Sequence, residues 1–485
     1  MAPESTSGRD DAIENTPPDS DTPRGGEGGT ASLSRDGSMM SSTAVSGDGD
    51  ASVSDGWSDV AFASLGQAAA ASGFGIVVAS LAVATERRTG SAVVGTVALA
   101  VEMWSRAAVS LPAAARANAR GRREVIAQAG CIGVLGSLVS FADFYVDSHV
   151  LYFLGLALMG VANCVAQQLR FAAAEAVKPG DRPRALSFGV AGGTLAAFIG
   201  PEVAKATRTS LDKEFAGCFL AMAACYAALV AFTVCIKSAG PRRGVKEEKG
   251  AAFTWPHAEF ARSAKARKGL AGVTCAWTAM FLAMSAAPLA MTGESEGGHS
   301  FDDAATALQL HMVMMFLPGL LGTGDCVKKF GPDAVSIVGY VLYLVCGVFT
   351  YAAVPERATG SVPLWAFYVL LILLGLAWNL TFIAGSALML PDGAVLDAGA
   401  SRRVQGAAEA ATFAAVGAAS AASGALLGAI GWRGLCACIA PFAVGMMWFE
   451  SSEGIVGAIS FSLNRSFGRR EEQVGEEEEA ASARV

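Results

Sequence analysis

The sequence predicts an all-α membrane protein of twelve transmembrane helices arranged in two six-helix halves. Three observations predict it: a composition suited to lipid, apolar runs of spanning length that recur along most of the chain, and one long polar interruption that divides them six and six. Of 485 residues 53% are apolar and 16% charged, and mean hydropathy is +0.43. A soluble domain carries nearer a quarter charged residues. The net charge of −7 says little about partners, because the charges crowd into loops and tails.

Residues 1–56 are rich in Ser, Gly, Asp, Glu, Pro and Thr and poor in branched apolar and aromatic residues. Such a segment buries too little surface to fold, and a disordered cytosolic tail is expected. It has neither the apolar core of a signal peptide nor the Arg-rich, acid-poor character of a transit peptide.

Spans long enough for about 30 Å of hydrocarbon are expected near 60–83, 91–113, 125–142, 149–171, 185–206, 214–236, 269–291, 304–324, 333–354, 362–390, 404–428 and 432–450. The divisions that follow are an N-terminal half 57–236, a cytosolic central loop 237–268, a C-terminal half 269–450 and a cytosolic tail 451–485. The central loop carries Arg242, Arg243, Lys246, Lys249, Arg262, Lys265, Arg267 and Lys268. With both termini inside, the inner segments hold about 23 Lys and Arg against about 7 outside, which sets the orientation in a plasma or organelle membrane. The outer loop 292–303 has no Lys or Arg but has Glu294, Glu296, Asp302 and Asp303, a set suited to gathering cations.

A weak internal repeat accompanies the division. Leu111-Pro112 in helix 2 and Leu317-Pro318 in helix 8 are each followed by a basic turn with a glycine, Arg120-Gly121-Arg122-Arg123 in one half and Lys328-Lys329-Phe330-Gly331 in the other. Paired halves of this kind, over residues 58–464, resemble the major facilitator superfamily of transporters. The helix 2–3 turn is similar to that family's G-x-x-x-D-R-x-G-R-R motif, with Ala114, Asn118 and Ala119 at its first Gly, Asp and first Arg positions. Gly192, Gly193, Gly200 and Pro201 of helix 5 partly resemble its Gly-Pro exchanger motif, and their small size suits close helix packing.

No phosphate-binding glycine loop, nucleophile–base pair or nucleotide site is present, so an enzyme, a resident cofactor and a nucleic-acid partner are not expected. Attention therefore falls on polar and soft groups inside the membrane. Most of the ten cysteines lie in apolar runs as small packing residues, without zinc or disulfide spacing. Methionine is clustered: an even spread of fifteen would put about one in 280–315, where Met280, Met284, Met291, Met312, Met314 and Met315 lie. Met280 and Met284 share a face of helix 7, and His311 and Met315 share a face of helix 8. Antiparallel neighbours would set Met284 level with His311 and Met280 with Met315. Thioether and imidazole suit Cu(I), while adaptable core packing is the plain alternative.

The M-x-x-x-M and H-x-x-x-M pairs, with Ala287-Pro288-Leu289-Ala290-Met291 and Phe316-Leu317-Pro318-Gly319 beside them, resemble the CalT (CcoA-like) family of copper importers. That resemblance implies copper import by alternating access, with Met280, Met284, His311 and Met315 as transient metal ligands and copper as substrate. A bilayer and a copper ion or small solute are the expected partners.

Other polar groups sustain a rival. Glu102 and Arg106 sit one turn apart in helix 2, as an internal ion pair or as coupling or gating residues. Arg170, Glu175, Gln167, Gln168 and Glu409 lie at inner helix ends, where interface contact and inter-helix clasping are expected. Trp378 and Asn379 are placed facing a cavity, or with Asn379 satisfying a backbone group. A proton-coupled carrier of a small organic solute or drug, using Glu102, Arg106 and Glu409, is thus an alternative to copper import. A copper or nutrient sensor that binds without transporting is a third.

Overall fold

The computed structural model describes residues 56–237 and 255–453, apart from 147, 295, 356–360, 391–395 and 397. The expected N-terminal tail, nearly all of the C-terminal tail and most of the central loop lie outside the described residues.

The N-terminal half comprises α1 (Trp57–Thr89), α2 (Ala92–Arg120), α3 (Arg122–Val146), α4 (His149–Ala176), α5 (Arg184–Arg208) and α6 (Ala216–Cys235). After a short helix His257–Arg262, the C-terminal half comprises α7 (Ala264–Thr292), α8 (Phe301–Phe330), α9 (Pro332–Ala353) and α10 (Leu364–Leu388). The helix Ala398–Ala437 then breaks at Gly431, whose φ of 67° and ψ of 178° are not helical. Its first arm, 398–430, is α11, and its second arm with the helical residues 439–453 is α12.

Among the described residues eleven helical stretches are long and apolar enough to span a bilayer, and the reversal at Gly431 within the last of them yields the twelfth. Arg403, near the start of α11, pairs with Glu259 of the central loop, whereas Trp432 N–H donates to Glu296 in the α7–α8 loop (3.3 Å). Glu453, at the end of α12, returns to Arg267 at the central-loop end of α7 (2.7 Å). The chain thus crosses, reverses at Gly431 and crosses back.

Local signals explain several element ends. Ser263 Oγ accepts from Ala266 N–H (3.1 Å), so α7 starts five residues before the apolar run does, through the basic stretch Lys265–Lys268. Ser300 and Asp303 form a reciprocal capping box at the start of α8. The basic turns of the internal repeat share one backbone conformation: Gly121 has φ 89°, ψ 150°, and Gly331 has φ 86°, ψ 153°. Positive φ at both explains why each turn needs glycine. α8 is less regular, with a π-turn over Gly319–Thr323 just after Pro318 and φ of 128° at Gly322.

Between the halves, α2 packs along α11 and α5 along α8. Small residues allow the approach: a Cβ on Gly193 of α5 would run into the Phe316 ring of α8. Across the middle, Phe74 of α1 faces Phe281 of α7, with ring centroids 6.1 Å apart. These three seams surround the site.

Candidate functional site

Seven helices, α1, α2, α4 and α5 from one half and α7, α8 and α10 from the other, wall a cavity between the halves. Its volume is about 30 Å³, room for one or two water molecules. Contacts between halves close it on both sides. At the central-loop end, Arg170 of α4 bonds Glu409 of α11, Glu175 lies 3.7 Å from Arg402, and Ser187 Oγ donates to Gly319 O (2.6 Å). At the opposite end Lys205 Nζ donates to Thr306 Oγ1 (3.0 Å), and the Phe215 and Phe301 rings meet edge to face at 5.7 Å. The conformation is occluded.

Aromatic side chains dominate the C-terminal wall. Trp378 stacks on Phe382 at 4.4 Å and 17°, as expected for residues one turn apart on α10. Trp277 of α7 meets Trp378 edge-on (5.1 Å, 84°), and Phe316 of α8 does so at 5.7 Å and 75°. Three helices thus build one aromatic box.

Two guanidinium groups reach the wall from the N-terminal half. Arg106 Nη2 donates to Glu102 Oε1 (2.7 Å), which also accepts from Asn163 Nδ2 (2.5 Å). Arg106 lies over the rings of Phe74 (4.6 Å) and Phe413 (5.3 Å). Arg170 donates to Glu409 Oε1 (3.1 Å) and to Gln167 Oε1 (3.1 Å), and lies 4.7 Å over Phe382. In both ion pairs the arginine lines the cavity and the carboxylate stands outside its lining. A small second pocket, lined by Glu409, Arg402, Arg122 and Gln405, lies beyond the Arg170–Glu409 pair.

The soft residues divide. Met284 and Met315 line the cavity together with Met312, while Met280 and His311 are buried outside its lining. His311 Nδ1 bonds Leu371 O of α10 (2.7 Å); a carbonyl only accepts, so the proton sits on Nδ1 and Nε2 keeps its lone pair. Nε2 has no hydrogen-bond partner among the described residues. α7 and α8 both pack on α10 rather than broadly on one another, so the side-by-side alignment expected of a neighbouring antiparallel pair is not the arrangement found. Among the described residues no three His, Cys, Asp or Glu group as a metal site.

Of the other sequence candidates, Glu102 and Arg106 are joined as spaced, and Glu409 is joined to Arg170. Trp378 lines the cavity; Asn379 instead donates to Met315 O (2.7 Å) and accepts from Thr323 (2.8 Å). Gln67, Asn163 and Trp277 on the wall are additions that sequence reasoning missed. An amide or indole inside an apolar span was the available signal.

The comparisons with known proteins agree with this architecture. Residues 60–390 match the family model of the Major Facilitator Superfamily. The chain belongs to the major facilitator superfamily. The transporter is 30% identical over 327 residues to the riboflavin transporter RfnT of Brucella anthropi, covering 67% of this chain and 77% of that one. Its fold is similar to the human organic anion transporter MFSD10 (TETRAN), with a TM-score of 0.61, 13% identity, and 82% and 99% of the two chains covered. It is likewise similar to the E. coli fucose:proton symporter FucP, with a TM-score of 0.58, 12% identity, and 81% and 98% covered. These structural likenesses carry the fold alone; the substrate is a separate question.

Proposed function

We propose that this transporter carries a small organic solute with a flat aromatic ring, of the flavin kind, by rocking one half against the other around the central cavity. The observation that carries the reading is the wall itself: a four-ring box of Trp277, Phe316, Trp378 and Phe382 facing the guanidinium groups of Arg106 and Arg170. Aromatic walls with a few placed polar groups are the usual lining of sites for such ligands. The 30% identity to a riboflavin transporter supports the same class. The halves must part to admit a ring system, since the cavity is only about 30 Å³. The Lys and Arg asymmetry supports placing the central-loop end in the cytosol.

Copper is the second reading, and His311 favours it: a buried Nε2 lone pair with its ring fixed from the other side by a carbonyl is how protein metal ligands are oriented. Met280, Met284, His311 and Met315 would be the transient ligands. The electrostatics favour the organic solute. A copper ion in this cavity would face the positive ends of both ion pairs, whereas the carbonyl oxygens of a flavin-like ring would be attracted by them.

Ligand-induced thermal stabilisation of the purified transporter separates the two. Riboflavin should raise the unfolding temperature with a saturating dependence, and Cu(I) held by a weak chelator should not. Stabilisation by Cu(I) that is lost on Met284→Leu, with none by riboflavin or another flat aromatic solute, would reverse the choice.

A further inference from the structure

Four polar atoms on residues that line the cavity have no hydrogen-bond partner among the described residues: Trp378 Nε1, Arg106 Nε, Arg170 Nε and Gln67 Oε1. The four side chains are each at most 5% exposed. Buried polar atoms are almost always paired, and leaving one unpaired is costly. Their combined pattern is three N–H donors and one carbonyl acceptor.

Charge adds a second constraint. Arg106 and Arg170 are each balanced, by Glu102 and Glu409, so the site as a whole is neutral. Their cationic ends nevertheless border the cavity and their carboxylates do not. The potential there is positive without a net charge waiting to be neutralised.

Resting on the flat-aromatic reading, we infer that the cavity selects rings that are uncharged and rich in acceptors, carbonyl-bearing heterocycles with a ring N–H, and rejects flat cations. Trp378 is the specificity-determining residue. Its indole face forms the box and its Nε1–H donates to a ring carbonyl, with the two Arg Nε–H groups donating to further acceptors and Gln67 accepting from the ring N–H. A site built to hydrogen-bond its ligand rejects analogues that leave those groups unpaired, by factors far larger than shape alone supplies. Stacking, by contrast, is indifferent to the ring's edge chemistry.

The test uses the full-length transporter in detergent and two tricyclic fluorescent probes of similar size. Lumichrome is neutral, with two ring carbonyls and ring N–H groups; proflavine is a cation with amino donors. Lumichrome should bind at least tenfold more tightly. Trp378→Phe keeps a ring for stacking on Phe382 but removes the N–H, and should erase most of that advantage by weakening lumichrome alone. Gln67→Leu, a second variant far from the aromatic box in sequence, removes the acceptor for the ring N–H and should weaken lumichrome. Equal binding of the two probes in wild type would overturn the inference while leaving the flat-aromatic reading in place. A lumichrome preference untouched in both variants would overturn the residue assignment, and binding of neither probe would overturn the inference and that reading together.

Discussion

Arg170 and Glu409, 239 residues apart in the chain, meet at 3.1 Å across the seam between the two halves, both nearly fully buried. Their pair separates the central cavity from the small pocket at the central-loop end. Opening that end requires it to break.

Breaking the pair from one side should therefore unbalance the cycle. Glu409→Gln leaves the Arg170 charge buried without its partner, at a cost of about 3 kcal/mol or more to the occluded state. Solute uptake should fall at least tenfold, and the accessibility of a cysteine placed at Gln405 to a polar thiol reagent should rise. The swapped double variant Arg170→Glu with Glu409→Arg should recover part of the flux. Unchanged uptake and accessibility in Glu409→Gln would remove the pair from the cycle.

Glu102 and Arg106 differ in kind, because both lie on α2 and stay together however the halves move. Glu102→Gln should lower the unfolding temperature by several degrees while leaving the pH dependence of uptake unaltered. A well-folded Glu102→Gln variant whose pH profile is abolished would instead make Glu102 the coupling residue.

Close packing at the α5–α8 seam gives a prediction about small residues. A methyl group on Gly193 meets the Phe316 ring, which is itself held against Trp378 and cannot swing away freely. Gly193→Ala should cost about 1–3 kcal/mol and slow uptake several-fold. Gly445→Ala, where an added Cβ meets nothing within 4 Å, should do neither, so equal thermal shifts in the two variants would contradict the packing argument.

On the loop between α5 and α6, Glu214 accepts from Arg87 (2.5 Å) and Arg208 (2.6 Å). Partial burial pushes its carboxyl up, but the hydrogen bonds and charge of the two guanidinium groups outweigh this and hold it below its ordinary value. A depressed carboxylate stabilises the fold above its unfolded value, near 4.3, and that stabilisation is lost as pH falls through the lower folded value. The clasp is about a third exposed, so its worth is limited to about 1 kcal/mol or less. Unfolding temperature should decline below about pH 4.3 less steeply in Glu214→Gln than in wild type; identical slopes would show that the clasp contributes nothing.

The sequence made the spans legible because a bilayer imposes one length and one chemistry on every crossing. Helix ends were less so: the cap at Ser263 carries α7 through Lys265 and Lys268, which hydropathy reads as loop. The basic turns differ in their spacing from proline, which weakens the repeat in sequence, yet Gly121 and Gly331 adopt nearly the same backbone angles. At the site, Glu102 and Arg106 were legible from a spacing of four on one helix. Arg170 with Glu409, and Trp277 with Trp378 and Phe316, belong to separate helices, and no periodicity within a helix points to its partners across the cavity. The methionine pairs form a pattern in local sequence, whereas the aromatic box is assembled from three separate helices.

The central claim is tested most directly by flux into vesicles that hold the purified transporter, measured in parallel for radiolabelled riboflavin and for radiolabelled copper with a reductant. The account predicts saturable riboflavin uptake that falls at least tenfold in Trp378→Ala, and copper uptake no faster than in empty vesicles. Saturable copper uptake that disappears in the Met284→Leu, His311→Ala double variant, with no riboflavin movement, would contradict it.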